Sequence, residues 1–262
     1  MRAWWVHRPG RVQNGPLRQG ARADPQPGPG QVRLRVSCCG ICRTDLHLAE
    51  GDLPPRLPDV VPGHEVVGYV DSTGPGTGRF RIGERVGVPW LHETCGRCRF
   101  CRHGRENLCR TPRFTGWDVD GGYAELCVVD ERFAYRLPDS FDDERAAALL
   151  CSGIIGYRAL ALAELPPAGR LGIYGFGASA HLTAQLALHQ GAAVHVFTRS
   201  SDARRLALDL GASSAGDAAD PSPEPLDGAI LFAPVGDLVP VALASLEPGA
   251  TLAVAGIHLT DV

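Results

Sequence analysis

Apolar and polar positions alternate one for one from residue 32 to residue 37, Val-Arg-Leu-Arg-Val-Ser, the period of a strand with a single buried face. Similar stretches at 66–70, 85–88 and 124–129, and a short apolar run at 3–6, predict further strands. Gly and Pro punctuate them, and residues 10–30, rich in Gly, Pro, Arg and Gln, read as a loop. Near residue 150 the pattern changes. Residues 145–150 and 154–164 are Ala- and Leu-rich and helical in character, and strands at 171–174, 193–197, 228–232 and 251–255 then alternate with helices at 178–190, 202–210 and 237–246. Such alternation predicts a parallel sheet covered by helices. The expected fold class is therefore α/β with a β-rich N-terminal domain, divided into residues 1–151 and 152–262.

Composition narrows the partners. The 262 residues are 44% hydrophobic and 21% charged, ordinary for a soluble globular chain. A formal net charge of −3 gives no global reason to expect a nucleic acid or an anionic membrane. All 26 basic residues are Arg, so lysine Schiff-base and P-loop lysine chemistry are excluded. No apolar run approaches the length of a membrane span, and the N-terminus lacks the apolar core of a signal peptide. A cytoplasmic location is expected. The nine Cys are an odd count and sit at metal-ligand spacings, which suits a reducing compartment better than a disulfide framework.

Candidate chemistry begins at residues 38–47, Cys-Cys-Gly-Ile-Cys-Arg-Thr-Asp-Leu-His, where a thiol, a hydroxyl, a carboxylate and an imidazole fall within one short turn. Pro62-Gly63-His64-Glu65 adds an imidazole with a carboxylate beside it, and Cys151 offers a further thiol. Cys42, His64 and Cys151 would leave one tetrahedral position of a zinc ion open for water or substrate, the mark of a catalytic site. Cys95, Cys98, Cys101 and Cys109 follow the spacing C-x₂-C-x₂-C-x₇-C. Four thiolates close the tetrahedron, so this set predicts a structural zinc holding a lobe at 92–113 that lacks its own apolar core. Two zinc ions per chain are expected. Arg97, Arg99, Arg102, Arg105, Arg110 and Arg113 stud the lobe, but only Phe100 and Phe114 could serve as stacking platforms there, so no nucleic-acid partner is expected.

In the second half, Leu171-Gly-Ile-Tyr-Gly-Phe-Gly177-Ala-Ser-Ala180 reads as strand, glycine turn and helix, the arrangement that seats a pyrophosphate on a helix N-terminus. Aligned on Gly172 and Gly177, the fingerprint carries Tyr174 at its middle position; aligned on Gly175 and Gly177, it ends in Ala180. All four small residues are candidates for cofactor contact. The next strand ends in Thr198-Arg199-Ser200, where NAD-specific sheets carry an acidic residue for the ribose. Arg199 facing a 2′-phosphate makes NADP(H) the expected cofactor over NAD(H).

Gly40-x-Cys42-x-Thr44-Asp45, Gly63-His64-Glu65, the four-cysteine lobe, Gly122-Tyr123-Ala124-Glu125 and the later glycine turn together resemble, over nearly the whole chain, the zinc-dependent medium-chain alcohol dehydrogenases. The resemblance implies a GroES-like catalytic domain followed by a Rossmann domain, with hydride transfer between a small alcohol or aldehyde and a nicotinamide. It also implies roles. Asp45 would bond the ring N–H of His64, and Glu65 would sit behind the metal. Thr44 would take the proton from the alcohol, and His47 would pass it toward solvent. Arg43 would face the cofactor pyrophosphate, and Trp90 would line the substrate pocket and narrow it toward small, unbranched primary alcohols. Members of this family continue for a further domain-half that carries a sixth strand and the usual dimer contact. The Rossmann domain is therefore expected to be C-terminally incomplete, and the family's homo-oligomer is not expected to carry over. A competing reading is a truncated, inactive zinc-binding member or a binding module on the same scaffold.

Overall fold

Two compact units make up the chain, Met1–Cys151 and Ser152–Val262, in a computed structural model that describes residues 1–256 and 258–262. The first contains, in chain order, β1 (Arg2–Val6), β2 (Leu17–Ala21), β3 (Gln31–Cys39), α1 (Arg43–Glu50), β4 (Val66–Thr73), β5 (Arg85–Val88), β6 (Leu91–Glu93), β7 (Arg113–Phe114), β8 (Leu126–Asp130), β9 (Tyr135–Arg136) and α2 (Asp143–Ala148). Five of these strands form an antiparallel sheet in the order β8-β3-β4-β5-β9. The alternation at 32–37 sets its inward face: Val32 and Leu34 are 0% exposed and pack with Val66, Val86, Val88 and Val129. Each such side chain contributes roughly 1.5–3 kcal/mol on burial.

Two sequence expectations change in this unit. Residues 10–30 are not all loop, because Leu17–Ala21 forms β2 and pairs antiparallel with β1, Arg2 opposite Ala21. The segment has no alternating apolar pattern of its own, so the neighbouring strand imposes its conformation. Nor do residues 38–47 form one short turn. Cys38 and Cys39 end β3, and residues 43–50 form helix α1, whose Leu48 packs with Val6 and Val60.

The second unit contains α3 (Ile154–Leu162), β10 (Arg170–Tyr174), α4 (Ala178–His189), β11 (Ala193–Phe197), α5 (Ser201–Asp209), β12 (Ser214–Gly216), β13 (Leu226–Leu231), α6 (Leu238–Ala244) and β14 (Leu246–Val254). Its five strands are all parallel, in the order β12-β11-β10-β13-β14. Ala159 of α3, Ala184 and Ala187 of α4 and Ala207 of α5 pack with Leu171, Ile173, Val194 and Val196, while Leu238 and Ala242 of α6 pack with Tyr174, Phe197 and Leu231. Successive strand residues thus bury into different clusters, as in a doubly wound sheet with both faces covered. The order reverses between β10 and β13, the switch point at whose carboxyl strand ends open α/β sheets bind their ligands.

Residues Asp143–Leu162 form one helical run, α2, a π turn at Leu149–Gly153 and α3, and this run is long and apolar enough to cross a membrane by length and composition. The sequence reading had no such stretch. Its Ala146, Ala147 and Leu150 pack with Val67, and its Ala159 and Leu160 with Leu171 and Ile173, while Ile154, Ile155, Tyr157 and Leu162 are exposed.

Candidate active site

Helix α1 begins at Cys42, whose backbone N–H donates to Asp45 Oδ2 at 2.9 Å. The other carboxylate oxygen, Oδ1, accepts from Gly63 N at 3.1 Å and lies 3.2 Å from His64 Nδ1. One buried carboxylate therefore starts the helix and fixes the ring of His64, leaving Nε2 for a metal. Gly40 makes room for the next acid: a Cβ there would stand 1.9 Å from Glu65 Oε2. Cys151 arrives on the π turn, a feature frequent at functional sites.

Cys42, His64, Glu65 and Cys151 place one donor atom each within 4.8 Å of one another. Cys42 Sγ and Cys151 Sγ are 3.7 Å apart. A tetrahedral zinc with Zn–S bonds of about 2.3 Å sets its sulfurs about 3.8 Å apart, so the pair fits that ion. The electrostatics agree. The contact with Cys151 holds the Cys42 thiol far below its usual range, to about 4, against the opposing effect of burial and with help from His64. The same contact, with burial, pushes Cys151 upward. Burial works against a charged His64, yet Asp45 and the Cys42 thiolate outweigh it and raise the imidazole to about 9. Glu65 is raised to about 7 by burial and then by the charge of Cys42. Two apposed thiols, one of which gives up its proton only reluctantly, form a pocket that a divalent cation relieves.

Around these donors lie the remaining groups. Thr44 Oγ1 is 3.7 Å from Cys42 Sγ, and His47 follows one turn later on α1. Arg43 is exposed at the start of α1. Trp90 meets the His64 ring edge to face at 4.9 Å and stacks on Phe114 at 5.1 Å and on Trp117 at 5.8 Å. Arg56 covers Trp117 at 3.7 Å. Sequence reading singled out Trp90 alone; Phe114 and Trp117 lie beyond the cysteine lobe and gave no signal of joining it.

The lobe is a second centre of a different kind. Its sulfurs are 4.0 Å (Cys95–Cys101), 3.5 Å (Cys98–Cys101) and 3.6 Å (Cys95–Cys109) apart, again the edges of a zinc tetrahedron. Backbone N–H groups of Arg97 and Cys98 lower the Cys95 thiol to about 6, the state a metal ligand needs.

In the second unit Gly175 has φ +87° and approaches Ala233 so closely that a Cβ would meet its N at 2.8 Å. Gly177 starts α4 with no side-chain cap, so the first N–H groups of the helix are open to an anion. Gly172 is a correction: it lies inside β10, with a would-be Cβ 2.5 Å from Leu226, and belongs to the sheet packing. Ala180 is 0% exposed and packs in the core, so its small size serves the approach of helix to strand. At the end of β11, Thr198 is buried and Ser200 accepts from Ala203 N at 3.2 Å as the cap of α5. Arg199, between them, is exposed and is the one charged residue of the trio.

Residues 28–139 match the alcohol dehydrogenase GroES-like domain. The whole chain aligns at 57% identity with the probable alcohol dehydrogenase AdhA of Mycobacterium tuberculosis, covering 77% of that protein. The chain belongs to the zinc-dependent medium-chain alcohol dehydrogenases. Among solved members, the cinnamyl alcohol dehydrogenase of Sorghum bicolor superposes with a TM-score of 0.87 at 32% identity, over 99% of this chain and 78% of that one. CAD from Helicobacter pylori, complexed with NADP(H), superposes with a TM-score of 0.87 at 26% identity, over 98% and 77%. The GroES-like first unit and the parallel-sheet second unit are those of this alcohol dehydrogenase family.

Proposed function

We propose that this chain is an NADP(H)-dependent oxidoreductase that interconverts small primary alcohols and aldehydes. The observation that carries this reading is the open donor set: Cys42 and Cys151 sulfurs at zinc-tetrahedron spacing beside an imidazole oriented by Asp45, with a hydroxyl 3.7 Å from one sulfur. Zinc held by Cys42, His64 and Cys151 would supply Lewis acidity that makes an alcohol hydroxyl acidic, and the nicotinamide a hydride acceptor. The protein does the rest. Thr44 Oγ1 accepts the alcohol proton, and His47 hands it to solvent. Asp45 keeps His64 Nε2 basic, and Glu65 backs the donor set with a carboxylate. Trp90, braced by Phe114 and Trp117, restricts the width of the alcohol that reaches Thr44. In the second unit the open N–H groups of α4 suit a pyrophosphate and Arg199 suits a 2′-phosphate, and in the first unit Arg43, exposed at the start of α1, is an arginine able to bind phosphate oxygens.

The nine free cysteines suit a reducing cytoplasm, and the partner is a small molecule, with neither nucleic acid nor membrane required. The test is NADPH formation on a panel of linear and branched alcohols with zinc-loaded protein. Turnover of linear primary alcohols, lost in Cys42→Ser, is the expected result. Zinc binding without turnover of any alcohol would favour the inactive-scaffold reading. A preference for NADP over NAD that survives Arg199→Ala would remove that residue from the cofactor site.

A further inference from the structure

The segment between α1 and β4 runs past the aromatic wall of Trp90, Phe114 and Trp117 as a strap. Its start is tied to α1, because Leu53 N donates to His47 O at 3.0 Å, and Pro54 O then accepts from Trp117 Nε1 at 2.8 Å. Two residues on, Arg56 lays its guanidinium over the Trp117 ring at 3.7 Å. Nη1 of the same group donates to Asp118 Oδ1 at 3.1 Å, while Oδ2 of that carboxylate accepts from Phe114 N at 2.9 Å. Arg56 thereby holds two of the three residues of the wall, one by its ring and the other, through a mostly buried carboxylate, by its backbone. At the far end Arg22 Nη2 fixes the strap by donating to Asp59 O at 2.6 Å. Prolines at 54, 55 and 58 limit the strap's own backbone freedom.

Trp117 packs beside Val6, Leu48 and Val60 on one side and stacks on Trp90 at 5.8 Å on the other, so a swing of its indole would free one side of Trp90. A surface ion pair alone would restrain it weakly. A planar guanidinium stacked on the indole and bonded to a carboxylate that the backbone holds is a stiffer device. We infer that Arg56 is a specificity-determining residue that acts by position, clamping Trp117 and through it Trp90, so that the pocket wall does not yield to a branched alcohol. The inference rests on the proposed role of Trp90 as a wall of the alcohol pocket, and the two can fail separately.

The test compares the zinc-loaded wild type with Arg56→Ala, Arg56→Lys, Trp90→Ala and the double variant Arg56→Ala/Trp90→Ala on n-butanol and isobutanol. One methyl group against a rigid apolar wall is worth roughly tenfold or more in kcat/KM, so the preference for n-butanol should fall by about threefold to tenfold in Arg56→Ala, the change lying in KM for isobutanol. Arg56→Lys should keep only part of the preference, because an ammonium stays charged without stacking flat. The double variant should be no less selective than Trp90→Ala, as for residues acting through one wall. Exchange of the Trp117 indole N–H, followed in nitrogen-15 correlation spectra, should be faster in Arg56→Ala by about tenfold, since local opening governs it. If Trp90→Ala loses the preference while Arg56→Ala keeps it, Arg56 is only a surface cation and the pocket reading stands. If Trp90→Ala itself keeps the wild-type preference, the wall does not select the alcohol and the inference falls with that reading. Indole exchange as slow in Arg56→Ala as in the wild type would overturn the clamp whatever the turnover.

Discussion

The two cysteine centres of the first unit are built in opposite ways. Cys95, Cys98, Cys101 and Cys109 come from one short segment with little core of its own, whereas Cys42, His64 and Cys151 come from a helix start, a loop before β4 and a π turn far along the chain. The lobe's thiols have peptide N–H groups for neighbours; the open centre has buried carboxylates, Asp45 and Glu65. On the proposed reading, zinc bound in the lobe would organise the chain, whereas at the open centre the folded chain would organise the zinc. Only the second can leave a coordination position free without losing its shape.

Breaking each centre in turn should expose that difference, the largest effect coming from the lobe. Structural zinc in small domains contributes about 10 kcal/mol or more to folding, so Cys98→Ser should abolish order in residues 92–113, read as loss of amide-exchange protection there. Cys42→Ser should instead leave that protection and the thermal midpoint nearly unchanged while reducing turnover by at least a hundredfold, on the order expected when reacting groups are misplaced by about 1 Å. Equal unfolding by both changes would erase the distinction. Gly40→Ala should act between the two, because its methyl group would stand 1.9 Å from Glu65 Oε2 and displace that carboxylate from the open centre. A loss of about 1–3 kcal/mol in a urea titration is expected from such overpacking, together with weaker zinc retention at the open site alone.

The smallest effect concerns the strand that leads into the lobe. His92 is 2% exposed, its Nδ1 has no partner among the described residues, and burial followed by the charge of Arg113 lowers its pKa to about 4. A histidine lowered in the folded state stays neutral while the unfolded chain takes up a proton. Stability from this group is therefore complete above about pH 6.5 and falls as the pH drops toward 4, by up to about 3 kcal/mol. Urea midpoints at pH 7 and pH 4.5 should differ less in His92→Gln than in the wild type. An unchanged difference would mean that other groups set the acid limb.

The contrast between the centres also explains what the sequence could reveal. A lobe whose ligands lie a few residues apart announces itself by spacing, and Gly63-His64-Glu65 is nearly as legible because a glycine, a ligand and a carboxylate are adjacent. The alternation at 32–37 and the strand-turn-helix at 171–189 were likewise readable, since one period governs each. Features that depend on distant segments were not. Strand β2 exists because β1 pairs with it, β12 is three residues long, and Phe114 and Trp117 reach Trp90 only through the folded path of the lobe. Gly172 illustrates the converse, a motif glycine whose neighbours show that it packs against Leu226 inside β10.

Zinc content under graded chelation tests the two-centre description most directly. Freshly purified chain should carry two zinc ions, and a mild chelator should remove one of them quickly, abolishing turnover while residues 92–113 keep their amide protection. The second ion should leave only as that protection is lost. One zinc or fewer before chelation, or both ions leaving together with the lobe's protection, would contradict the division into a metal-organised lobe and a fold-organised active site.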